Sequence, residues 1–546
     1  MFKVIIIICV LLHGVQASPY AIATAHPLAT QAGEEILQNG GNAFDAAVAI
    51  SAALAVVEPY GSGIGGGGFW LLHDAKMNTN IMVDGREVAP LAATKDMYLD
   101  EQGKPTRDSV NGPRAAGIPG VIAALDYISA HYGNLDLATN LAAAIKYARE
   151  GFVPGEQYQR FIKMRASTLS KSPAAHEIFI QSSQDHKSKL VQKDLAYSLE
   201  LIAEHGQEVF YHGELAATLV QGVQQAGGIW QLEDLHQYKI KLRTPIKSSY
   251  KDLTLVLPPP PTSGGVVVTQ ILSMLDSIEL DYLSQAQQVH VVAEAMRRAY
   301  QDRAVFLGDP DFTEIPMQML LDKQYAQKKF ETFDPQRASV SQSLADIEAG
   351  EGQDTTHFSV IDAAGNYVAA TLSINYPFGS GFVAPGTGIL LNDEMDDFAI
   401  APGVGNVYGL VGSEANAIEP GKRMLSSMTP LFAYSKDRLL IAGTPGGSRI
   451  ISMLALALIE FQQGASSDEI VSRARFHHQY MPDVIQFEKN ALSQEVQQAL
   501  IKKGHTLKEI SYHYGNMQVI SKHMQSNNMS VASDPRGEGL SVVQAE

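Results

Sequence analysis

A pair of threonines far from either end of the chain offers the clearest chemistry in the sequence. The stretch DTTHFSV covers residues 354–360 and opens a strand-like run that continues through Ile361. A threonine hydroxyl is a poor nucleophile near neutral pH and needs a base, which an α-amino group with a pKa of about 7.7 to 8.0 can supply. A threonine at the start of a chain would therefore carry both nucleophile and base.

Two polar residues follow this stretch and lie two positions apart. Ser373 and Asn375 lie 18 and 20 residues after Thr355, in or just after a second strand-like run. Because alternate residues of a strand face the same side of a sheet, we expect both side chains to point into one site.

Charged residues cluster at two other places. Residues 84–90 are DGREVAP, with Arg86 just after a predicted strand, and residues 392–398 are NDEMDDF. Glu394 and Asp397 are three residues apart, so they would share one face if this turn is helical. An arginine in a turn and an acidic run are usually only solvated surface, so these residues by themselves do not establish a function.

A serine pair and a glycine pair occur further along the chain. Residues 420–428 contain Ser426 and Ser427, which are typical of a turn with helix-capping serines. Gly446 and Gly447 precede a predicted helix at residues 450–460 and could simply start it. Backbone N–H groups at such a position are also suited to hold an oxyanion.

The elements that must position these residues form a mixed pattern. Alanine-rich or amphipathic spacing predicts helices at residues 32–38, 43–57, 135–149, 194–205, 266–275 and 286–306. Runs rich in β-formers predict strands at residues 69–73, 253–257, 356–361, 367–374, 439–442 and 517–521. The sequence has no repeat of 20 to 50 residues, which excludes solenoids and propellers. A layered α/β fold is favoured.

A glycine-rich stretch could suggest a nucleotide site. Residues 61–68 are GSGIGGGG and contain a formal G-x-G-x-x-G. The dinucleotide fingerprint needs a strand before the glycines and a helix after them, whereas here a predicted helix precedes and a predicted strand follows. The order of elements therefore argues against nucleotide binding.

Composition limits the class of protein. The chain has 546 residues, of which 45% are hydrophobic and 18% charged, as in a globular protein with a large core. Its formal net charge of −17 argues against a surface that binds nucleic acid or an anionic membrane.

The first 17 residues differ from the rest of the chain. Lys3 precedes an apolar run at residues 4–12, and small residues at 15–17 offer a cleavage site, a pattern typical of a secretory signal peptide. The sole cysteine, Cys9, lies in this run, so the mature chain is predicted to have no disulfide and no thiolate metal site. We expect export to a bacterial periplasm or medium, without a membrane anchor after signal removal.

Several stretches together resemble one family, the γ-glutamyltransferases (γ-glutamyl transpeptidases or glutathione hydrolases) of the bacterial exported type. The resemblance runs from HPLA at residues 26–29 to GTPGGSR at 443–449, and it includes 57–68 and 354–360. It implies an α+β fold, the N-terminal-nucleophile hydrolase fold, in which two antiparallel sheets lie between helical layers in a four-layer αββα sandwich.

The resemblance also implies a precursor that cleaves itself. Residues 1–17 would be the signal peptide, and the bond between Asp354 and Thr355 would be cut by the protein itself. A large subunit of residues 18–354 and a small subunit of residues 355–546 would then form one αββα domain as a heterodimer. Thr355 would become the catalytic N-terminus.

The family pattern assigns both charged ends of a glutamyl substrate. An arginine matching Arg86 binds the α-carboxylate, a task suited to the bidentate guanidinium fork, and the pair matching Ser426 and Ser427 contacts the same carboxylate. Residues matching Glu394 and Asp397 bind the α-ammonium group.

Further positions serve the reaction in this family. The position of Ser373 is usually a threonine that contacts the hydroxyl of the nucleophile, and the residue matching Asn375 helps to hold the substrate. Gly446 and Gly447 match the oxyanion hole. Tyr408 matches the lid loop, where it is expected to cover the bound glutamyl group.

The implied activity is transfer of the γ-glutamyl group of glutathione and other γ-glutamyl compounds. The acceptor is water, an amino acid or a dipeptide, and the intermediate is a γ-glutamyl ester of Thr355. The resemblance implies no metal and no organic cofactor.

Two alternatives stay open. A cephalosporin (glutaryl) acylase of the same fold would act on substrates that lack part of the glutamyl head group. A non-catalytic exported binding protein would be expected to show damage at Thr355, Asn375 or the glycine pair, and the sequence shows none there.

Overall fold

The computed structural model describes residues 19–181, 188–341, 354–401 and 404–544. The predicted signal peptide at residues 1–17 and the stretch at residues 342–353, just before Asp354, lie outside these residues. The α-helices of the described residues are α1 Pro27–Gln38, α2 Ala43–Val57, α3 Val121–Tyr132, α4 Leu137–Glu150, α5 Glu156–Leu169, α6 Pro173–Ala175, α7 Lys193–His205, α8 Gln207–Tyr211, α9 Glu214–Gln225, α10 Leu232–Gln237, α11 Gly264–Leu275, α12 Gln285–Phe306, α13 Met317–Leu321, α14 Lys323–Phe330, α15 Ile450–Gln462, α16 Ser467–Ser472 and α17 Gln494–Lys502.

The strands of the same residues are β1 Tyr20–Thr24, β2 Gly67–Asp74, β3 Thr79–Asp84, β4 Lys241–Arg243, β5 Ile246–Tyr250, β6 Leu253–Leu257, β7 Thr356–Ile361, β8 Tyr367–Ser373, β9 Leu431–Tyr434, β10 Arg438–Gly443, β11 Phe476–His477, β12 Ile485–Glu488, β13 Leu507–Ile510, β14 Gln518–His523, β15 Met529–Ser533 and β16 Leu540–Gln544. Each helix and strand predicted above is present. The helix predicted at residues 32–38 begins five residues earlier, at Pro27, because proline is well accommodated in the first turn of a helix.

Two antiparallel sheets form the centre of the described chain. One has seven strands in the order β16-β1-β7-β8-β2-β3-β4, and the other has six in the order β15-β14-β10-β9-β6-β5. A small third sheet contains β11, β12 and β13. Strands β7 and β8 of the first sheet contact β10 of the second, so the two large sheets pack face to face.

Helices cover the outer faces of both sheets. Helix α2 packs on β7 and β8, and α1 and α4 pack on α2, whereas α11 and α15 contact the second sheet. The alternation along β1 reflects this layering: Ile22 belongs to the core under the first helical layer, while Ala21 and Ala23 belong to the core that includes the space between the sheets. The expected αββα sandwich is therefore confirmed.

The glycine-rich stretch at residues 61–68 fits between strands where side chains have no room. An added Cβ on Gly66 would lie 2.3 Å from the carbonyl oxygen of Ser373, and one on Gly65 would lie 2.2 Å from that of Leu390. Helix α2 precedes this stretch and β2 begins at its end, as predicted. The glycines therefore let backbone segments pack closely at the end of β8.

None of the helices in the described part of the chain combines the length and the apolar character that crossing a bilayer requires.

Candidate active site

The register of β7 and β8 places the threonine nucleophile candidate. Thr356 pairs with Leu372 in this antiparallel ladder, so Thr355 lies opposite Ser373. Their hydroxyl oxygens are 3.0 Å apart. Thr355 is 8% exposed and has φ 84°, an unusual backbone angle for a β-branched residue. Backbone strain of this kind costs about 1 to 3 kcal/mol and is concentrated at functional sites.

The side chain of Asn375 is oriented by a turn and not by the strand that the sequence predicted. Strand β8 ends at Ser373, and Asn375 has φ 70°, so strand alternation does not orient its side chain. Its backbone N–H donates to the Ser373 hydroxyl over 2.8 Å, and its side-chain amide donates to the Asp393 carbonyl over 3.0 Å. Both residues still line one cavity with Thr355. The prediction that strand alternation orients Asn375 is wrong, while the predicted proximity of Ser373 and Asn375 in one site is confirmed.

Arg86 is the charged centre of the site. It follows β3, is fully buried, and donates to Glu394 over 2.5 Å and to Asp397 over 2.6 Å. Its Nε donates to the Met424 carbonyl over 3.3 Å. Glu394 and Asp397 sit in one turn of 3₁₀ helix, so the helical turn expected from their spacing is present. The structure thus brings together the residues predicted for the two ends of a glutamyl group.

Burial sets the protonation of these groups. It lowers the pKa of Arg86, but the carboxylates of Glu394, Glu87 and Asp397 outweigh it and raise that pKa. Burial raises the pKa of Glu394 to about 7, with Arg86 opposing and Asp397 adding to the rise. The pKa of Glu87 is raised as well, by burial first and by Glu394 second. Arg86 therefore stays charged, whereas burial raises the pKa of both Glu394 and Glu87 and so favours their neutral forms.

Asp354 and Tyr408 close the site in the intact chain. The Tyr408 hydroxyl lies 2.5 Å from the Asp354 carboxyl and 3.1 Å from the Asn375 carbonyl. Asp354 is fully buried, which raises its pKa to about 7 against the lowering effect of Tyr408. Tyr408 is buried too, and its loop is tied to the acidic turn because Asn406 donates to Asp397 over 2.8 Å.

The cavity enclosed by these groups is small. It has a volume of about 20 Å³ and is lined by residues that include Arg86, Thr355, Glu394 and Tyr408. This volume is enough for about one water molecule and not for a glutamyl group. A second cavity of about 390 Å³ is also lined by Thr355, together with Arg160, Tyr512 and other residues.

The glycine pair stands between β10 and α15. Gly446 has φ 144° and Gly447 has φ 56°, and a 3₁₀ turn from Gly447 leads into α15. Within the described residues, neither N–H group donates a hydrogen bond. Gly447 lines the small cavity together with Thr355. Two unused donors at a helix start match what an oxyanion hole needs, and that role stays a prediction.

We expect Gly447→Ala to displace Tyr408 and to raise KM for the γ-glutamyl substrate several-fold. An added Cβ would lie 2.6 Å from the Tyr408 ring, and the left-handed φ itself costs about 1 to 2 kcal/mol in a residue with a Cβ. KM and the thermal midpoint measure the two effects. Gly421→Ala is the matched control, because Gly421 has φ 74° and no atom near the added Cβ. Equal KM values in both variants would contradict the clash.

The serine pair does not cap a helix. Ser426 Oγ accepts from the Met428 N–H over 3.1 Å, and no helix follows among the described residues before β9. Ser427 Oγ accepts from Arg303 over 3.3 Å. The simpler interpretation of these serines as helix caps is therefore wrong. Both serines line the small cavity with Arg86.

Arg303 is a site residue that the sequence did not indicate. It lies in α12, is 5% exposed, and also donates to Ser263 over 3.0 Å. Burial lowers its pKa, and the Asp397 carboxylate opposes that effect. An arginine in a long helix is usually on the surface, so nothing in the local pattern distinguishes it.

One group of described residues could in principle hold a metal. His290, Glu294 and His505 have ligand atoms within 4.8 Å of one another. His290 Nδ1 lies 2.7 Å from His505 Nε2, and Glu294 accepts from Arg297 over 3.1 Å and from Arg298 over 2.6 Å. The two histidines thus bond to each other and Glu294 bonds to two arginines, and the expectation that the reaction needs no metal stays a prediction.

The paired antiparallel sheets between helical layers, with a buried threonine at the start of a central strand, define an N-terminal-nucleophile hydrolase. A family model described as Gamma-glutamyltranspeptidase matches residues 29–543. The chain belongs to the gamma-glutamyltranspeptidase family.

Individual relatives agree with this assignment. The chain is 39% identical over 536 residues to the glutathione hydrolase proenzyme of Escherichia coli K12, covering 96% of this chain and 90% of that protein. It is 42% identical to the glutathione hydrolase proenzyme of Pseudomonas sp. strain A14, covering 88% and 85%. Among solved structures, the cephalosporin acylase from Bacillus halodurans is similar with a TM-score of 0.84 and 25% identity, covering 96% of both chains.

Proposed function

We propose that this chain is the proenzyme of a glutathione hydrolase and γ-glutamyltransferase. The observation that carries the proposal is the buried ion-pair group beside Thr355, in which Arg86 is 2.5 Å from Glu394 and 2.6 Å from Asp397. A glutamyl head group has one carboxylate and one ammonium. It can replace these internal pairs with pairs of its own, so no buried charge is left uncompensated.

Each of the two charges of the head group has a partner of opposite charge in this group. Arg86 offers a planar fork for the α-carboxylate, and Ser426 and Ser427 line the same cavity. Glu394 and Asp397 then face the α-ammonium. Both relatives named above are called glutathione hydrolase proenzymes, and glutathione carries such a head group.

The proposed reaction uses Thr355 after the bond to Asp354 is cut. Thr355 Oγ1 attacks the γ-carbonyl while its own α-amine takes the proton, and the Gly446 and Gly447 N–H groups stabilise the oxyanion. Cysteinylglycine leaves, and a γ-glutamyl ester of Thr355 remains. Water then releases glutamate, or an amino acid or dipeptide takes the γ-glutamyl group.

The closed site of the intact chain fits a precursor. Asp354 and Tyr408 occupy the space beside Thr355, and the remaining cavity of about 20 Å³ admits no substrate. Cleavage would give residues 18–354 and 355–546 and allow Asp354 to leave. We also infer export, on the strength of the N-terminal pattern at residues 1–17.

The glutaryl acylase is the second candidate, because a cephalosporin acylase shares this fold over nearly the full chain. A glutaryl group lacks the α-ammonium, so Glu394 and Asp397 would have no cation of the substrate to bind. This mismatch favours the glutamyl substrate.

The test is a product mass spectrum after incubation of the mature protein with glutathione, with and without glycylglycine. We expect cysteinylglycine and glutamate in the first sample, and added γ-glutamyl-glycylglycine in the second. Glutamate as the sole acyl product in both would restrict the activity to hydrolysis. Intact glutathione in both, with turnover of a glutaryl cephalosporin, would establish the acylase instead.

A further inference from the structure

Self-cleavage needs a different base from the one that the mature enzyme uses for γ-glutamyl transfer. In the mature enzyme the proposed base is the α-amine of Thr355. In the intact chain this nitrogen is a peptide amide bonded to Asp354 and has no basic lone pair. The proton of the Thr355 hydroxyl must therefore go to another group during the first cut. This inference rests on the proposed cleavage at Asp354.

The surroundings of Ser373 offer a route for that proton. A serine hydroxyl has one proton to donate and two lone pairs to accept with. Ser373 Oγ accepts from the Asn375 N–H over 2.8 Å, and Ser373 lines one small cavity with Thr355 and Glu394. Ser373 Oγ lies 3.0 Å from Thr355 Oγ1, and either hydroxyl can donate in this pair. With the Ser373 proton turned toward Glu394, Thr355 is the donor and its own lone pairs are left for attack.

Glu394 has an oxygen ready to receive a proton. One carboxyl oxygen, Oε2, accepts from Arg86 over 2.5 Å. The other, Oε1, is buried and lacks a hydrogen bond of ordinary geometry within the described residues. Buried carboxyl oxygens are rarely left in this state, because an unmade hydrogen bond costs about 1 to 3 kcal/mol.

We propose that Glu394 is the proton acceptor of self-cleavage and that Ser373 relays the proton of Thr355 to it. The nucleophile, the relay and the acceptor follow one another across the ends of β7 and β8 and the adjacent 3₁₀ turn. The carboxylate thus acts before substrate binds and is free for the α-ammonium afterwards.

The chemistry balances with one water. Thr355 Oγ1 bonds to the Asp354 carbonyl carbon, its proton passes to Ser373, and the Ser373 proton passes to Glu394. The carbon–nitrogen bond then breaks and the proton on Glu394 returns to the Thr355 nitrogen, which leaves an ester and a free amine. Water hydrolyses this ester, with the new amine as base. The products are the Asp354 carboxylate and a free Thr355.

The environment of Glu394 suits this task near neutral pH. Arg86, Asp397 and the Ser373 hydroxyl surround it, the carboxyls of Glu87 and Asp393 also interact with it, and burial raises its pKa to about 7. Self-cleavage should therefore accelerate as the pH rises through about 7, because the relay needs the ionised carboxylate. Asp354 also has a pKa raised to about 7, so the rise alone does not identify the group.

The decisive variant is Glu394→Gln, with cleavage of the purified precursor followed on denaturing gels. We expect the rate to fall on the order of 100-fold or more, since general base catalysis contributes about 10² to 10⁴, and the rise near pH 7 to disappear. Glu460→Gln is the matched control, because Glu460 is a buried carboxyl in α15 whose pKa burial also raises to about 7, and it lies outside the small cavity that contains Thr355. It should change the cleavage rate by less than about threefold.

A second pair of variants tests the relay itself. Ser373→Ala should slow cleavage about as much as Glu394→Gln, and Ser373→Thr, which keeps the hydroxyl, should restore it. Thermal midpoints establish that each variant is folded. Equal slowing by Glu394→Gln and Glu460→Gln would indicate a general effect of removing a buried carboxylate and overturn the relay.

The relay and the proposed function fail in different ways. Cleavage of wild type together with unimpaired cleavage of Glu394→Gln would overturn the relay alone. A wild-type chain that stays intact while it hydrolyses glutathione would overturn the proposed self-cleavage, and the relay with it.

Discussion

Replacing Thr355 with alanine is expected to leave one uncleaved chain with no measurable turnover. The variant lacks the hydroxyl that both self-cleavage and γ-glutamyl transfer require, and removing such a nucleophile costs on the order of 10⁴ to 10⁶ in kcat. Denaturing gels report the first effect, and release of cysteinylglycine from glutathione reports the second. The fold should persist, because Thr355 contributes a small side chain at the start of β7.

Thr355→Ser is the control for this experiment. It keeps the hydroxyl and the future α-amine, so it should be cleaved and active at a reduced rate. An alanine variant that turned over glutathione as an intact chain would contradict the assignment of Thr355 as nucleophile.

Arg86→Gln has the second large expected effect, on stability and on substrate use together. Arg86 is fully buried and pairs with Glu394 and Asp397. Its loss leaves the buried Glu394 and the largely buried Asp397 without their cation, which costs about 3 to 5 kcal/mol of folding free energy. It also removes the fork for the substrate carboxylate, so kcat/KM for glutathione should fall on the order of 10³-fold. Thermal unfolding and steady-state kinetics measure the two effects.

A second buried arginine separates these effects. Arg475 pairs with Asp534 over 2.5 Å and is 3% exposed, outside the cavity that contains Arg86. Arg475→Gln should lower the thermal midpoint and leave KM for glutathione unchanged. If Arg86→Gln changed stability alone, with normal kcat/KM, Arg86 would be structural and the proposed carboxylate site would be wrong.

The local elements followed closely from the sequence. Helix α2 and strand β7 were predicted with the ends that the structure has, because α2 is an alanine-rich run that begins after a capping asparagine and β7 is a run of β-formers, and both are entirely buried. The order of helix, glycines and strand around residues 61–68 was also predicted correctly, since it is a local property. The family resemblance followed from short motifs whose residue patterns are distinctive without any structure.

Other features could not be predicted because they depend on distant contacts. The orientation of Asn375 depends on a turn with φ 70° that ends β8, and short turns override strand alternation. The contact of Arg303 with Ser427 joins residues 124 apart in sequence. The burial of Tyr408 against Asp354 requires the loop, the acidic turn and the start of β7 to be in place together.

The sequence by itself determined the class of enzyme, the nucleophile candidate and the residue types that match a glutamyl head group, because these are carried by local patterns. Only the tertiary structure decided the pairing of Arg86 with both acids, the closure of the site in the intact chain and the contact of Ser373 with Thr355. The physical reason is that charge compensation, burial and hydrogen bonding arise between segments 18 to 311 residues apart, and they exist only after two sheets and their loops have packed.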